Sequence, residues 1–504
     1  MPHTLMSPAN PTPDFHRLYA QGLQSCESGD WTQAVHHFCA AIELQPQSYP
    51  CYHQMGLAMC QLGQFQAGIE CFSQAIAIKT DNPLPWLDRG NAHKELGQLD
   101  AACSDYLQAI GLQPAYAMAH FNLGNVYRQQ MRLPQAAACF EAVLQNQPQR
   151  VDALSNLGVT YKELHQCEQA IACFDKALEI APTHMDARWN KATALLMAGR
   201  YKEGWPLFES RWQLDAPRQA EQAKHTAALW QGQSPLQART LLICTEQGLG
   251  DTIQCMRYLP LLLAMGAQVT VEVQPALERL VRQFTGLHDI ILWGEDRPST
   301  DFYCPFMSLP LAFDTELATV PMSVGYLQAE KGLCAEWQKR LASDTQPKVG
   351  LVWSGGDLFA ANQRRNIPLQ SLEVFADLPL AFYSLQKGEQ AQAELASVQA
   401  SGWRGPNIID HTAALSDFAD TAGLISQLDA VVAVDTSVAH LAGAMGKPVF
   451  LLNRFDGCWR WLAQQSRSPW YESLHIYNQP SPGHWDSVVQ AVKQDLLKLT
   501  QAAL

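Results

Sequence analysis

The sequence has little charge, no long apolar run and no excess of basic residues. Asp, Glu, Lys and Arg make up only 16% of its 504 residues, and the formal net charge is −13. An acidic balance argues against broad binding to nucleic acid or to anionic membranes. The longest apolar run, from Tyr258 to Met265, is too short to span a bilayer. The first thirteen residues lack the apolar segment of a secretion signal, so we expect a cytoplasmic protein.

Motifs for a metal site or a disulfide framework are also missing. The fourteen cysteines include no Cys-x-x-Cys pair, which is typical of free thiols in a reducing compartment. We predict neither a metal nor a cofactor. Five cysteines accompany apolar positions of helical patterns, and we expect them to be buried: Cys39, Cys71, Cys103, Cys139 and Cys173. The hydrophobic content of 47% indicates a folded chain, with room for two or three domains.

What the first half of the sequence does have is a period of 34 residues. Aromatic residues repeat at that step: Phe38, Phe72, Tyr106, Phe140, Phe174 and Phe208. So do glycines, with an alanine at the sixth place: Gly22, Gly56, Gly90, Gly124, Gly158 and Ala192. The small residue lets two helices cross closely, and the aromatic fills the groove to the next unit. This pattern predicts tetratricopeptide (TPR) repeats, which stack into a solenoid with a concave face.

We place about six repeats in residues 15–215, after a flexible N-terminus at residues 1–14. The last repeat is atypical, because the run from Gly204 to Glu209 replaces the usual pattern of a second helix. An atypical terminal unit is expected to act as a cap that packs on whatever follows it.

Asparagines form another column in the first helices of the repeats. Asn122, Asn156 and Asn190 are 34 residues apart, and Asn125 lies one turn after Asn122. Side chains on this face line the concave groove, where amides can pair with the backbone of an extended protein or peptide ligand. The alternative is that these amides hydrogen-bond neighbouring helices. Helix propensity alone disfavours asparagine at such positions.

The 34-residue period ends near residue 216, and strands then alternate with helices. A polar connector at residues 216–238 precedes two series of short apolar runs, at residues 239–330 and 345–504. The alternation predicts parallel sheets, so the fold class is an all-α solenoid followed by two Rossmann-like α/β lobes. Ligands of such sheets bind beyond the carboxyl ends of the strands. After the first strand we predict a helix from Asp251 to Ala264.

The first strand of this half is followed by the motif Gln247-Gly248-Leu249-Gly250-Asp251-Thr252. Gly248 and Gly250 permit a tight turn and a close approach of a ligand to the backbone. Asp251 lies at the edge of the predicted cleft, where it is either a functional carboxylate or an ordinary helix cap.

A second motif follows the predicted strand at residues 430–434. Asp435 ends that strand, and Thr436 and Ser437 begin a helix whose amides, hydroxyls and dipole suit a diphosphate. His440 follows Thr436 by about one turn and lies on the same side. The alternative is a well-capped buried helix with a satisfied core histidine.

Basic residues follow two other strands of the same lobe. Arg365 stands next to Arg364, and Lys387 follows the predicted strand at residues 381–385. Two adjacent arginines in an acidic chain suit a phosphate ligand. The alternative is a solvated loop, which is the more usual place for a pair of charges.

Together these motifs resemble the heptosyltransferase-type glycosyltransferases of GT-B fold, as they occur fused to TPR arrays in bacteria. The resemblance runs from about Trp230 to Trp485. It is most specific at Gly250-Asp251-Thr252 with Leu259-Pro260, and at the run from Asp435 to Ala442 with Gly446-Lys447-Pro448.

The resemblance implies a role for each matching residue. Asp251 matches the catalytic base, Arg365 matches a basic residue that contacts the donor phosphate, and Asp435 begins the sugar-nucleotide loop. The predicted donor-binding residues are Gly248, Gly250, Arg365, Lys387, Asp435, Thr436, Ser437 and His440. The sequence departs from many heptosyltransferases in having Arg365 in place of lysine and Ser437 in place of glycine, and its first lobe is short.

The architecture is also similar to that of protein O-GlcNAc transferases, in which a TPR groove with an asparagine row feeds polypeptide to the cleft. We therefore predict an inverting, metal-independent glycosyltransferase. It would move a sugar from a nucleotide-diphosphate donor to an acceptor, a protein recruited by the TPR groove. The alternative is a non-catalytic TPR scaffold with a degenerate GT-B domain.

Overall fold

The structure, a computed structural model, describes residues 13–246, 248–322, 324–355 and 364–502. Residues 1–12 of the predicted flexible N-terminus, and Gln247 of the first predicted motif, lie outside the described residues. The chain divides into two compact units. The first comprises Met1–Leu164 and Ala172–Pro182, and the second comprises His165–Ile171 and Thr183–Leu504.

The first unit consists of paired antiparallel helices, as the 34-residue period predicts. They are α1 (Pro13–Glu27), α2 (Trp31–Leu44), α3 (Tyr49–Gln61), α4 (Phe65–Ile78), α5 (Pro83–Glu95), α6 (Leu99–Leu112), α7 (Ala117–Gln129), α8 (Leu133–Asn146), α9 (Val151–Glu163) and α10 (Cys167–Ile180), the last of which is shared with the second unit. The glycine column explains the close crossing within each pair. A β-carbon at Gly56 would stand 2.6 Å from the fully buried ring of Phe72.

The terminal repeat belongs to the second unit. Its helices are α11 (Met185–Met197) and α12 (Tyr201–Phe208), and a short 3₁₀ helix and α13 (Ala216–Ala223) follow. The indole of Trp205 donates to the carbonyl of Thr315 at 2.9 Å. Arg211, which is fully buried, pairs with Glu246 at 2.7 Å. The predicted docking of the atypical last repeat on the region that follows is therefore confirmed.

The first lobe is built on a five-stranded parallel sheet of order β1-β5-β2-β3-β4. Its strands are β1 (Ala228–Leu229), β2 (Thr240–Cys244), β3 (Gln268–Val273), β4 (Asp289–Leu292) and β5 (Phe302–Pro305). Its helices are α14 (Leu249–Cys255), α15 (Leu259–Ala264), α16 (Glu278–Val281) and α17 (Leu309–Ala312). The single helix predicted from Asp251 to Ala264 is wrong: a 3₁₀ turn separates α14 from α15, and Pro260 lies in the first turn of α15, where its missing N–H costs no hydrogen bond.

The second lobe is built on a six-stranded parallel sheet of order β11-β10-β9-β6-β7-β8. The strands are β6 (Lys348–Val352), β7 (Ala381–Ser384), β8 (Ile408–Asp410), β9 (Ala430–Val434), β10 (Val449–Asn453) and β11 (Leu474–Asn478). The helices are α18 (Lys331–Arg340), α19 (Glu389–Ala400), α20 (Phe418–Ser426), α21 (Ser437–Ala444) and α22 (Asp486–Ala502). This is the doubly wound order, in which the chain reverses direction between β6 and β9.

The predicted burial of the cysteines is only partly right. Cys71, Cys103 and Cys139 are buried, and Cys173, at the same repeat position as Cys71 and Cys139, is half-buried. Cys39 is exposed, because it directly follows the buried Phe38 and therefore lies off the helical face that packs inward. All fourteen cysteines are free thiols. Among the residues that the structure describes, no helix has both the length and the apolar character needed to cross a membrane.

Candidate functional site

A cavity opens at the point where the second sheet reverses direction. Its volume is about 260 Å³, and the carboxyl ends of β6 and β9 contribute Ser354, Gly355, Thr436 and Ser437 to its wall. The first lobe contributes Leu249 and Ala276, so the cavity lies between the lobes. A neighbouring cavity of about 470 Å³ shares part of this wall, namely Ser354, Gly355, Gln386 and Lys387. The position is the one at which doubly wound sheets bind ligands.

Thr436 occupies the N-cap position of α21 without capping it. Its backbone is extended (φ −142°), and its side chain accepts no hydrogen bond from the helix. Within the described part of the chain, the Thr436 hydroxyl is buried and has no hydrogen-bond partner. The alternative of a helix capped by this hydroxyl is therefore not what the structure shows. The amides at the start of α21 and the Thr436 hydroxyl are available to an anion.

Arg365 lies across the end of β6 and reaches the same loop. Its Nη1 donates to the backbone carbonyl of Asp435 at 2.7 Å. A β-carbon at Gly355 would stand 2.1 Å from Arg365 Nε, so only glycine lets the guanidinium lie there. Burial lowers the pKa of Arg365, although the charge of Asp435 opposes the shift. Among the described residues, Arg365 Nε is a buried donor without an acceptor.

The neighbouring arginine has a different environment. Arg364 is exposed and pairs with Asp456 at 2.8 Å. The alternative of a solvated loop therefore describes Arg364, whereas the half-buried Arg365 points into the fold. Lys387 lines both cavities, but its ammonium donates to the backbone carbonyl of Leu415.

His440 is buried behind the loop, with 4% of its surface exposed. Its Nδ1 is hydrogen-bonded to the hydroxyl of Tyr471 at 2.8 Å, and its ring stacks on Trp461. Burial lowers the pKa of His440 to about 3, so the ring is neutral at physiological pH. Its Nε2 lies 3.9 Å from the carboxylate of Asp435. These contacts match the alternative of a satisfied core histidine, and His440 lies outside both cavity walls.

The two glycines of the first motif have different roles. A β-carbon at Gly250 would stand 2.8 Å from His440 Cδ2 and 3.5 Å from Ser437 Cα, so Gly250 brings α14 into direct contact with α21. Gly248 precedes α14, and its N–H donates to Asp251 at 3.2 Å. At this point the two lobes touch each other.

Asp251 is held at both carboxylate oxygens. Oδ2 accepts from the N–H of Gly248, and Oδ1 forms an ion pair with Arg460. Arg460 belongs to a 3₁₀ turn of the second lobe, Trp459–Trp461, and its Nε also donates to Gln254 at 2.8 Å. Sequence reasoning missed Arg460, because no local pattern connects it with a carboxylate 209 residues away. Asp251 is therefore both a helix cap and one half of an ion pair between the lobes.

The asparagine column forms amide–amide hydrogen bonds between successive repeats. Asn122 donates to Asn91 at 2.7 Å, and Asn156 donates to Asn125 at 3.1 Å. Asn190 instead donates to the carbonyl of Asp186 in its own helix at 2.9 Å. The alternative of hydrogen bonds to neighbouring helices is thus present for the first two residues. Each of these side chains is half-buried, and an amide group carries both donors and an acceptor, so a ligand role for the column stays a prediction.

Comparison with protein families concerns the helical repeats. Residues 56–97 and 90–130 match a model of the TPR repeat, and residues 115–182 and 155–216 match models of the tetratricopeptide repeat. The N-terminal part of the chain contains TPR repeats. These are protein-interaction repeats, so the prediction of a protein or peptide partner is supported at that level.

Among known proteins, protein FlbA of Caulobacter vibrioides is 28% identical over 328 residues, which cover 60% of this chain and 53% of FlbA. The chain thus spans about half the length of this curated relative. Two solved structures are similar to part of the chain. The MamA protein is 21% identical; the match covers 34% of this chain and 92% of MamA, with a TM-score of 0.32. PilF of Pseudomonas aeruginosa is 16% identical; the match covers 42% of this chain and 98% of PilF, with a TM-score of 0.36.

Proposed function

We propose that the second unit is a glycosyltransferase of GT-B type, whose second lobe binds a nucleotide-diphosphate sugar. The observation that carries the proposal is the group of unsatisfied donors at the reversal of the second sheet. Arg365 Nε and the Thr436 hydroxyl are buried without acceptors in the described part of the chain, and they flank the start of α21. A diphosphate supplies the acceptor oxygens that these groups lack.

The neighbouring cavities suit the rest of a sugar nucleotide. Apolar walls from Leu249, Val352 and Val438 offer contact to a flat ring, and polar groups of Ser354 and Gln386 lie beside them. Together, the two adjoining cavities of about 260 and 470 Å³ offer a space within the range of small-molecule sites. The nucleotide and the sugar would therefore lie on either side of the diphosphate.

The proposed reaction is an inverting transfer. The acceptor hydroxyl oxygen attacks the anomeric carbon, the bond from that carbon to the diphosphate oxygen breaks, and its electron pair leaves with the nucleoside diphosphate. Asp251 would receive the proton of the acceptor hydroxyl. Arg365 and the start of α21 would stabilise the charge that develops on the diphosphate. A protein acceptor would reach the site through the TPR repeats.

Calorimetric titration with a panel of uridine, guanosine, adenosine and cytidine diphosphate sugars tests the donor site. We expect one donor class to bind, and we expect Arg365→Ala to weaken its binding by about 1.5–3 kcal/mol, the range for a hydrogen bond between charged groups. Arg364→Ala is the matched control, because the adjacent arginine is exposed and pairs with Asp456. Equal affinities of wild type and Arg365→Ala would remove Arg365 from the site.

A non-catalytic scaffold is the second candidate function. One observation favours it: both carboxylate oxygens of Asp251 are already bound, by Gly248 and Arg460. A base must have an oxygen free to receive a proton. The scaffold would bind a partner protein through the repeats without turnover. Tight nucleotide binding without transfer to any acceptor would support this candidate over the enzyme.

A further inference from the structure

Arg279 forms ion pairs that connect the two lobes. It lies in α16 of the first lobe, and its Nη1 donates to Asp417 at 3.2 Å and to Asp420 at 2.9 Å, both in the second lobe. Its Nη2 donates to Glu330 at 3.3 Å. Only 18% of the Asp417 side chain and 13% of the Asp420 side chain are exposed. One guanidinium therefore holds three carboxylates, two of which are largely removed from water.

These ion pairs join the two walls of the smaller cavity of the proposed donor site. Ala276, three residues before Arg279, belongs to the wall from the first lobe. Asp417 belongs to the wall from the second lobe, within the segment 416–421 that supplies four residues of that wall. Arg279 thus connects the two chain segments between which the cavity lies.

The carboxylates of the second lobe are anchored to their own backbone. Asp417 Oδ1 accepts from the N–H of Ala419 at 2.9 Å and from the N–H of Asp420 at 3.0 Å, at the start of α20. Asp420 Oδ2 accepts from the N–H of Ser416 at 2.9 Å. Arg279 itself borders a separate cavity of about 510 Å³. The ion pairs therefore form a polar bridge with a cavity on either side.

We propose that Arg279 is a positioning residue for the donor: its ion pairs hold the two walls of the smaller cavity at the separation that a sugar nucleotide fills. The inference rests on the proposed function and adds a residue of the first lobe to the same site. The diphosphate is bound by Arg365 and the start of α21, which both belong to the second lobe. The rest of the donor fills the space between the lobes, where Leu249 and Ala276 complete the wall.

This division of the donor gives two ligands different requirements. A ligand that touches both walls binds best when the walls are already in place, because its apparent affinity falls with the fraction of molecules in the competent arrangement. A ligand that the second lobe binds alone has no such requirement. Loss of the ion pairs should therefore weaken the binding of sugar nucleotides and leave the binding of inorganic pyrophosphate unchanged.

Calorimetry on the full chain tests this difference, with inorganic pyrophosphate and the uridine, guanosine, adenosine and cytidine diphosphate sugars as probes. Arg279→Gln combined with Asp420→Asn breaks the bridge at constant net charge, and asparagine keeps an acceptor for the N–H of Ser416. We expect the dissociation constant of the sugar nucleotide to rise about three- to tenfold, from the strength of partly exposed ion pairs. Glu278→Gln combined with Arg282→Gln is the matched control, because it removes an ion pair that stays within the first lobe.

Each outcome decides one question. Weaker binding of the sugar nucleotide alone, in the double variant at Arg279 and Asp420 and not in the control, supports the inference. Unchanged binding of the sugar nucleotide overturns it, while the proposed donor site stands on the binding by the wild type. Equal weakening of both ligands also overturns it, because the ion pairs would then maintain the second lobe itself.

Two further outcomes concern the wild type. Binding of a sugar nucleotide without binding of pyrophosphate overturns the inference, because the second lobe would then not hold the diphosphate alone. Absence of binding to every sugar nucleotide overturns the proposed function itself, and the inference with it.

Discussion

The backbone of Gly250 in the first lobe lies directly against the imidazole of His440 in the second. A β-carbon at position 250 would stand 2.8 Å from His440 Cδ2, a distance that real β-carbons do not show. The neighbouring glycine is different, because the nearest heavy atom to a β-carbon at Gly248 would be Asp251 Oδ2 at 3.8 Å. Contact between the lobes thus depends on the absence of a side chain at one position.

Gly250→Ala should destabilise the second unit by about 1–3 kcal/mol, the usual effect of inserting a methyl group into a packed contact. Gly248→Ala has room for its methyl group and should leave the midpoint of thermal unfolding nearly unchanged. Differential scanning calorimetry of the two variants measures the difference. Equal midpoints would mean that α14 and α21 are not in contact in solution.

The amide–amide bonds between repeats should contribute to stability as pairs. In a double-mutant cycle of Asn91→Ala and Asn122→Ala, we expect a coupling of about 0.5–1.5 kcal/mol, since the two side chains share a hydrogen bond. Asn190→Ala combined with Asn91→Ala is the control, because Asn190 donates within its own helix. Urea unfolding of the four proteins of each cycle gives the coupling. If the effects of Asn91→Ala and Asn122→Ala on the free energy of unfolding are additive, the hydrogen bond between them does not stabilise the fold. The asparagine column would then be explained better by ligand binding.

Stability should fall in mild acid because of His440. Burial lowers its pKa to about 3 from 6.5, so between these values the unfolded chain binds a proton that the folded chain does not. The contribution of neutral His440 to the free energy of unfolding is complete above pH 6.5. It is lost as the pH falls below 6.5, and this free energy then changes by at most about 1.4 kcal/mol per pH unit. His225, whose pKa burial lowers to about 4, acts in the same direction.

Unfolding free energies between pH 7.5 and pH 5 check this expectation. His440→Gln should show a shallower dependence on pH than the wild type. His36→Gln, at an exposed position of the repeats, should keep the wild-type slope. Identical slopes for His440→Gln and the wild type would mean that the pKa of His440 is the same in the folded and unfolded chains.

The fold could be predicted where local pattern and packing agree. The 34-residue period predicts both the helices and the small residues at their crossings, and short apolar runs bounded by turn residues mark most strands. Two strands, β1 and β5, cannot be predicted from the local sequence, for physical reasons. β1 has only two residues, and β5 is a run of four that ends in Pro305, a residue that argues against a strand when read locally. β5 is a strand because it pairs with β2, and β1 is a strand because it pairs with β5.

The sequence predicts which strand ends carry the residues of the site, but not which side chains those residues contact. Strand ends place Thr436 and Arg365 at the reversal of the sheet, as the sequence indicates. The partner of Asp251 was not predictable, because Arg460 comes from a turn 209 residues later that carries no recognisable motif. His440 shows the converse: its spacing suggests a ligand role, but Tyr471 and Trp461 surround it.

Release of nucleoside diphosphate from a sugar nucleotide, measured with and without a protein extract as acceptor, tests the central claim most directly. The account predicts release by the wild type with the donor identified by calorimetry, and release slower by about 10²–10⁴ in Asp251→Asn, the usual effect of losing a general base. The variant should fold and should still bind the donor. Release at the wild-type rate by Asp251→Asn, or no release by the wild type with any bound donor, would contradict it.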